Sequence, residues 1–214
     1  MKMYEYQAKE VFAKFGIPVP KGRTVSSLDE VKSAVLELQS AALKAQVLYG
    51  GRGKAGLIKF AASQEEAGVM AGELLQHSQK ILVEERMQIM KELYLAITID
   101  RENRVPIVLA SAEGGIDIER SRKVLKRQIN PLLGLQDYEC RSIAKKLSLT
   151  PEQSSQVVRI LRALYRIFAT YDAELVEINP LCVTDKGLFA LDAKLNIDDN
   201  ALYRHQEYKA YDEY

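Results

Sequence analysis

Hydrophobic positions along this chain recur with two different periods, and the changes of period mark its elements. Ala8, Val11, Phe12 and Phe15 are spaced by three and four residues, which predicts an amphipathic helix over residues 4–15. Gly16 sits where that helix stops, and Pro18 and Pro20 keep the following residues extended. Ser27 with Glu30 three residues on is a capping-box pattern opening a helix to about residue 38. Ser63 with Glu66 repeats the pattern before a helix to about residue 77. Thr150-Pro151-Glu152-Gln153 joins a cap, a first-turn proline and a reciprocal glutamine, and its helix carries Val157, Leu161, Leu164 and Phe168 on one side. Another helix is predicted at about 138–147. Apolar or alternating runs at 43–47, 57–62, 81–84, 92–100, 105–110, 175–183 and 188–195 read as strands. In the run from Glu92, the side chains of Leu93, Leu95, Ile97 and Ile99 share one face and those of Glu92, Tyr94, Ala96 and Thr98 the other. No internal repeat is present, and the mixture of elements predicts an α/β or α+β class.

Composition narrows the functional classes without choosing among them. At 214 residues, 47% hydrophobic and 28% charged, the chain can bury a sizeable core as one domain or two small lobes. Thirty basic against 29 acidic residues leave a net charge of +1, which supports no bulk attraction to nucleic acid. No apolar run approaches the ~18 residues of a membrane span, and the first residues lack the apolar stretch of a signal peptide. Cys140 and Cys182 form no motif, so neither a disulfide framework nor a zinc site is expected. The expected setting is cytoplasmic.

Three constellations carry candidate chemistry. The stretch Gly50-Gly51-Arg52-Gly53-Lys54-Ala55-Gly56 lets backbone amides approach an anion, and Arg52, Lys54 and the preceding Lys44 add positive charge, a set suited to a triphosphate. It is neither a Walker A loop nor a GxGxxG fingerprint, and a flexible basic hairpin turn is the plain alternative. The second constellation is a C-terminal hairpin. With Asp185-Lys186 as a two-residue turn, Thr184 faces Gly187 and Asn179 falls opposite Asp192; with a three-residue turn the register moves by one. Either way an amide oxygen and a carboxylate become neighbours, which suits Mg²⁺ carried on a nucleotide. Glu177 shares the face of Asn179. The alternative is a solvent-facing polar stripe, although Pro180 is an odd residue inside a simple strand. Third, Glu84 and Glu92 flank a short connection, residues 85–88. Glu84 can accept from a ribose, Glu92 can sit near phosphate or metal, and the connection can offer backbone groups to a purine edge; two surface glutamates are the alternative. His77 and His205 show no neighbouring acid and read as surface residues. The basic cluster Arg120, Arg122, Lys123, Lys126 and Arg127 reads as a solvated helix or loop, and Tyr203, Tyr208, Tyr211 and Tyr214 as docking surface.

Taken in order, these pieces resemble the ATP-grasp part of the succinyl-CoA synthetase β-subunit family. The residues that carry the resemblance are Glu5-Tyr6-Gln7-Ala8-Lys9, Lys44-Ala45-Gln46-Val47 with the glycine stretch, Ile81-Leu82-Val83-Glu84, Lys91-Glu92-Leu93-Tyr94, Glu113-Gly114-Gly115, Glu177-Ile178-Asn179-Pro180-Leu181 and Asn200-Ala201-Leu202. The resemblance implies an ATP-grasp fold of two α/β lobes with nucleotide in the cleft between them, the smaller lobe at about 21–87 and the larger at 1–20 plus 88–214. It implies that Lys44 touches the phosphates, that Gly51, Arg52 and Gly53 lie over the nucleotide, that Glu84 holds the ribose, and that backbone near Met87 meets the adenine. Glu92 also belongs to that site. Asn179 and Asp192 are implied to bind Mg²⁺, and Glu177 to meet a phosphohistidine on the partner, the α subunit. The implied reaction is reversible formation of succinyl-CoA from succinate, CoA and ATP, a step of the tricarboxylic acid cycle, with no nucleic acid or membrane involved.

The chain also departs from that family. Leu48-Tyr49 stand where His-Ala is usual, Leu57 where a second glycine is usual, and the region after Ile118 is shorter. These changes imply a stiffer, more hydrophobic loop. The family continues past the position of Tyr214 into a domain that meets succinate, CoA and the α subunit, so the expectation is that this chain alone does not complete the reaction. A related ligase acting on malate or citrate, and a non-catalytic ATP-grasp binding module, remain the alternatives. An RNA-binding reading lacks both stacking aromatics and basic excess. ATP against GTP stays open.

Overall fold

Two hydrophobic clusters that share no residue divide the chain. The computed structural model describes residues 1–115, 123–206 and 208. The smaller unit comprises Tyr4–Tyr6 and Pro20–Gln88, and the larger Met1–Met3, Gln7–Val19 and Ile89–Tyr214. Helix α1 (Glu5–Lys14) therefore contributes its first residues to the smaller unit, whereas the sequence-based boundaries counted all of 1–20 in the larger lobe.

In the smaller unit, β1 (Gly22–Val25), β2 (Ala41–Ala45), β3 (Ile58–Ala61) and β4 (Ile81–Glu85) form an antiparallel sheet in the order β1-β4-β2-β3. Helices α2 (Leu28–Leu38) and α3 (Gln64–Leu74) supply Val31, Val35, Ala67, Ala71 and Leu74 to a core with Ala41, Leu43, Ala45, Ile81 and Val83. Strand alternation then puts Ala42, Lys44, Leu82 and Glu84 on the opposite face. The capping box is complete at Ser27 and Glu30. At α3 it is not: Ser63 accepts from the Glu66 N–H, but the Glu66 carboxylate takes the N–H of Ala62, one residue outside the cap. Leu57, where a glycine was expected, is 4% exposed and belongs to this core. Leu48 and Tyr49, in contrast, are exposed.

In the larger unit, β5 (Lys91–Asp100), β6 (Val105–Ser111), β7 (Leu125–Gln128), β8 (Ala173–Thr184), β9 (Gly187–Ala190) and β10 (Ala193–Ile197) make one antiparallel sheet, β10-β8-β5-β6-β7, with β9 pairing the far end of β8. Helices α4 (Asp137–Lys145) and α5 (Pro151–Thr170) cover one face. Val157, Leu161, Leu164 and Phe168 share a core with Leu93, Leu95, Ile97, Val176 and Ile178. Ile99, in phase with these strand residues, is instead exposed, next to the Asp100 turn that ends the strand. Tyr94 and Ala96 are buried on the other face, outside that core.

Three further expectations are corrected. Lys126 and Arg127 lie on β7, the edge strand beyond β6, not on a helix or loop; charge on an edge strand discourages pairing with another chain. Ile118, Arg120, Arg122, Tyr211 and Tyr214 lie outside the described residues. The strand expected over 188–195 is broken at Leu191 and Asp192 into β9 and β10. His205 is buried, with Nε2 2.8 Å from an Asp172 carboxylate oxygen and its ring stacked on Tyr171. The acid lies far off in sequence at the end of α5, where spacing cannot reveal it. Neither cysteine is in a disulfide, and burial pushes the Cys140 thiol up to about 11. Among the described residues no helix is long and apolar enough to cross a membrane.

Candidate functional site

The smaller unit gathers Lys44, Arg52 and Glu84 into one buried charge cluster. Lys44 stands on the face of β2 opposite the α2–α3 core, beside Leu82 and diagonal to Glu84. Its Nζ lies 2.8 Å from a Glu84 oxygen and 3.0 Å from Glu5 Oε1. The other Glu5 oxygen lies 2.5 Å from an Arg52 nitrogen. All four side chains are at most 9% exposed. Two cations and two carboxylates balance formally. Burying them carries a desolvation cost that makes such a cluster a weak source of stability and a candidate for function.

The glycine stretch is a turn closed by backbone hydrogen bonds. The Ala55 N–H donates to Gly51 O, the Leu57 N–H to Arg52 O, and the Ala45 N–H to Leu57 O. Gly51 has φ +83°, a conformation that favours glycine, and Gly51 and Gly53 are exposed on either side of the buried Arg52. Gly22 is required for a different reason: a Cβ there would stand 2.3 Å from Val83 O and 2.8 Å from Glu84 Cγ. Met87 is half-buried on the stretch that leaves β4.

In the larger unit the turn is the two-residue one. Thr184 pairs with Gly187, Leu181 with Ala190 and Ile178 with Ala193, so Asn179 falls opposite Asp192. The Leu191 N–H donates to Pro180 O, and Asp192 Oδ1 accepts the Ala193 N–H at 2.8 Å. The β5–β8 register shifts between Leu93 and Leu95, so that Asn179 and Pro180 together face Tyr94. Asn179 is clamped at both ends of its amide: Oδ1 accepts the Gly115 N–H at 2.8 Å, and Nδ2 donates to Gly115 O at 3.1 Å. The same loop touches the start of β5, where the Gly114 N–H donates to Glu92 O. Glu177 pairs across the sheet with Ala96 and Lys194. Its Oε1 lies 2.5 Å from Lys194 Nζ, and Tyr94 OH is 3.4 Å from its Oε2.

Gly115 holds this arrangement by what it lacks. It has φ +101°, and a Cβ there would lie 2.8 Å from Glu92 Oε2. Gly115→Ala is therefore expected to cost about 1–3 kcal/mol, read as a lower urea midpoint. Gly50→Ala, where an added Cβ meets nothing within 4 Å, is expected to leave the midpoint unchanged.

The donor set fits a hard divalent cation. Mg²⁺ bound together with substrate phosphates takes one or two protein oxygens and keeps several waters. The Asp192 carboxylate and the Asn179 amide oxygen offer that chemistry side by side on one hairpin. The structure thus brings Lys44, Arg52 and Glu84 together in the smaller unit, and groups Glu92, Glu177 and Asn179 on neighbouring strands of the larger, with Asp192 in the break between β9 and β10. Sequence reasoning missed Glu5, Tyr94, Gly115 and Lys194 as contacts of these groups. Glu5 was quoted only within the signature Glu5-Tyr6-Gln7-Ala8-Lys9, with no role toward Lys44 or Arg52. Lys194 could have been found by noting that it falls opposite Glu177 in the two-residue-turn register.

Residues 2–183 match the ATP-grasp domain family. The β subunit of an ADP-forming succinate–CoA ligase from Desulfatibacillum aliphaticivorans is 44% identical over 237 residues, covering 100% of this chain and 61% of that protein. The corresponding subunit from Ignicoccus hospitalis is 44% identical, covering 98% of this chain and 59% of that protein. This chain spans about three-fifths of the length of these curated relatives. Among solved structures, a dinucleotide-forming acetyl-coenzyme A synthetase from Ca. Korarchaeum cryptofilum superposes with a TM-score of 0.79 at 22% identity, over 92% of this chain and 93% of that one. At that identity the likeness concerns the fold.

Proposed function

Since the chain belongs to the ATP-grasp domain family, we propose that it is the nucleotide- and metal-binding part of an ADP-forming succinate–CoA ligase β subunit, acting in the cytoplasm with an α subunit that presents a histidine for phosphorylation. The observation that carries this reading is the register that sets Asn179 opposite Asp192, with Gly115 tying Asn179 to the loop beside Glu92. Identity of 44% along the whole chain to named β subunits supports the choice of acid.

In this reading Lys44 and Arg52 neutralise the phosphates, and the backbone of Gly51 and Gly53 lies against them without a side chain in the way. Glu84 accepts from the ribose hydroxyls, backbone near Met87 meets the base, and Glu92 completes the nucleotide's surroundings. Asn179 and Asp192 hold Mg²⁺, which when bound spreads the charge of the polyphosphate. Phosphoryl transfer depends on positioning and charge neutralisation, so the chain needs no general base of its own. Glu177, held by Lys194 and Tyr94, accepts an N–H of the partner's imidazole and so turns the other ring nitrogen toward the γ-phosphorus. That nitrogen gains the phosphoryl group as the bond to ADP breaks. Succinate then takes the phosphoryl group, and the CoA thiol displaces phosphate to give the thioester; both acceptors use parts outside this chain.

Calorimetric titration tests the reading. The purified chain is expected to bind one ATP with Mg²⁺ present and to bind it much more weakly in EDTA. A folded sample that gives no heat with ATP and Mg²⁺ would overturn the reading and favour a non-catalytic module. Parallel titration with GTP fixes the base, and thioester assays with the α subunit and the remaining β-subunit domain, supplied with succinate, malate or citrate, fix the acid.

A further inference from the structure

The glycine turn is closed by its own backbone hydrogen bonds, yet within residues 50–56 Arg52 alone is buried. Gly51, Gly53 and Lys54 are exposed, and only Arg52 turns inward, at 7% exposure. Its guanidinium reaches the Ala45 carbonyl at 3.4 Å and a Glu5 oxygen at 2.5 Å. Glu5 sits in the first turn of α1, where the helix dipole favours a carboxylate. Its two oxygens take different cations, Arg52 on one and Lys44 on the other. One carboxylate thereby sets the spacing of the two side chains assigned above to the phosphates. Glu84 neutralises Lys44 from its other side.

We propose that Glu5 is a positioning residue of the nucleotide site: its carboxylate bridges Lys44 and Arg52, seats the glycine turn, and presents both cations at a fixed separation before the polyphosphate arrives. The proposal rests on the nucleotide-binding reading and adds to it a residue that touches no substrate. A fixed pair of cations avoids the entropy loss of ordering a loose arginine on binding. A carboxylate that served only as a counter-charge would act the other way, since it repels the incoming phosphates. The sign of the affinity change on removing it therefore separates positioning from mere charge balance.

The test compares wild type with Glu5→Gln and Glu5→Asp by ATP calorimetry in Mg²⁺ and by brief trypsin treatment with mass mapping. In wild type, cleavage is expected after exposed Lys54 and not after Arg52. Glu5→Gln is expected to bind ATP at least tenfold more weakly and to become cleavable after Arg52, while Lys9, 4% exposed in the larger unit, stays protected. Protection at Lys9 reports on the larger unit, and continued protection after Lys32 in α2 and Lys59 on β3, with an unchanged far-UV circular dichroism spectrum, separates local release of the turn from unfolding of the smaller unit. Glu5→Asp, which keeps the charge on a shorter arm, is expected to recover part of the affinity; where Glu5→Gln does not fold, Glu5→Asp is expected to show the same two changes in milder form. Unchanged or tighter ATP binding, or continued resistance at Arg52, overturns the proposal. A wild-type chain that binds no ATP defeats the proposed function instead, and the trypsin result then decides by itself whether Glu5 seats the turn.

Discussion

Lys44→Met is expected to destabilise the smaller unit by about 3–5 kcal/mol and to lower ATP affinity at least a hundredfold. The substitution keeps an unbranched side chain, one atom shorter, and removes one charge from a cluster whose four members are at most 9% exposed. Glu5 and Glu84 would then be left buried with Arg52 as the remaining cation of the group, and breaking one side of a buried ion pair costs far more than the intact pair contributes. Set against a typical total of about 5–15 kcal/mol, the loss is large enough to read directly in urea unfolding. The double variant Lys44→Met/Glu84→Gln removes one charge of each sign. It is expected to regain much of the stability but none of the ATP binding, which separates the structural role of Lys44 from its role toward phosphate. A single variant that unfolds within 1 kcal/mol of wild type would show that the cluster does not carry the charge balance assigned to it.

Much of this arrangement was legible from the sequence because it is local. The caps at Ser27 and Thr150 are satisfied within three residues, and the two-residue turn at Asp185-Lys186 sets the whole register that brings Asn179 opposite Asp192. What failed to show depends on contacts distant in sequence. Glu5 meets Lys44 and Arg52, and Asp172 meets His205, across separations that no periodicity encodes. Strand β7 hid because Leu125-Lys126-Arg127-Gln128 is polar; an edge strand pairs through its backbone and needs no apolar alternation. Leu57, the first residue of the apolar run read as a strand over 57–62, is a core residue just ahead of β3, because the turn brings the chain back to β2, where the Ala45 N–H donates to Leu57 O.

Asp192→Ala is expected to abolish the Mg²⁺ dependence of ATP binding while leaving the chain folded. Asp192 stands in the break between β9 and β10, where its Oδ1 accepts the Ala193 N–H. Losing that acceptor beside partly exposed backbone costs about 1 kcal/mol, within what a folded domain tolerates. The neighbouring donor is a poorer probe. Asn179 also clamps Gly115 through two hydrogen bonds, so shortening it would disturb the loop beside Glu92 and confuse position with coordination. A carboxylate brings a full negative charge to a hard cation, and an amide oxygen brings only a dipole, so the aspartate supplies most of the protein's share of metal affinity. Wild type is expected to bind ATP far more tightly with Mg²⁺ than in EDTA, and the variant to show the same weak affinity in both. Far-UV circular dichroism is expected to show both proteins folded under the conditions of the titrations. Should the variant keep the full Mg²⁺ enhancement, the hairpin is not the metal site, and the reading built on its register fails with it.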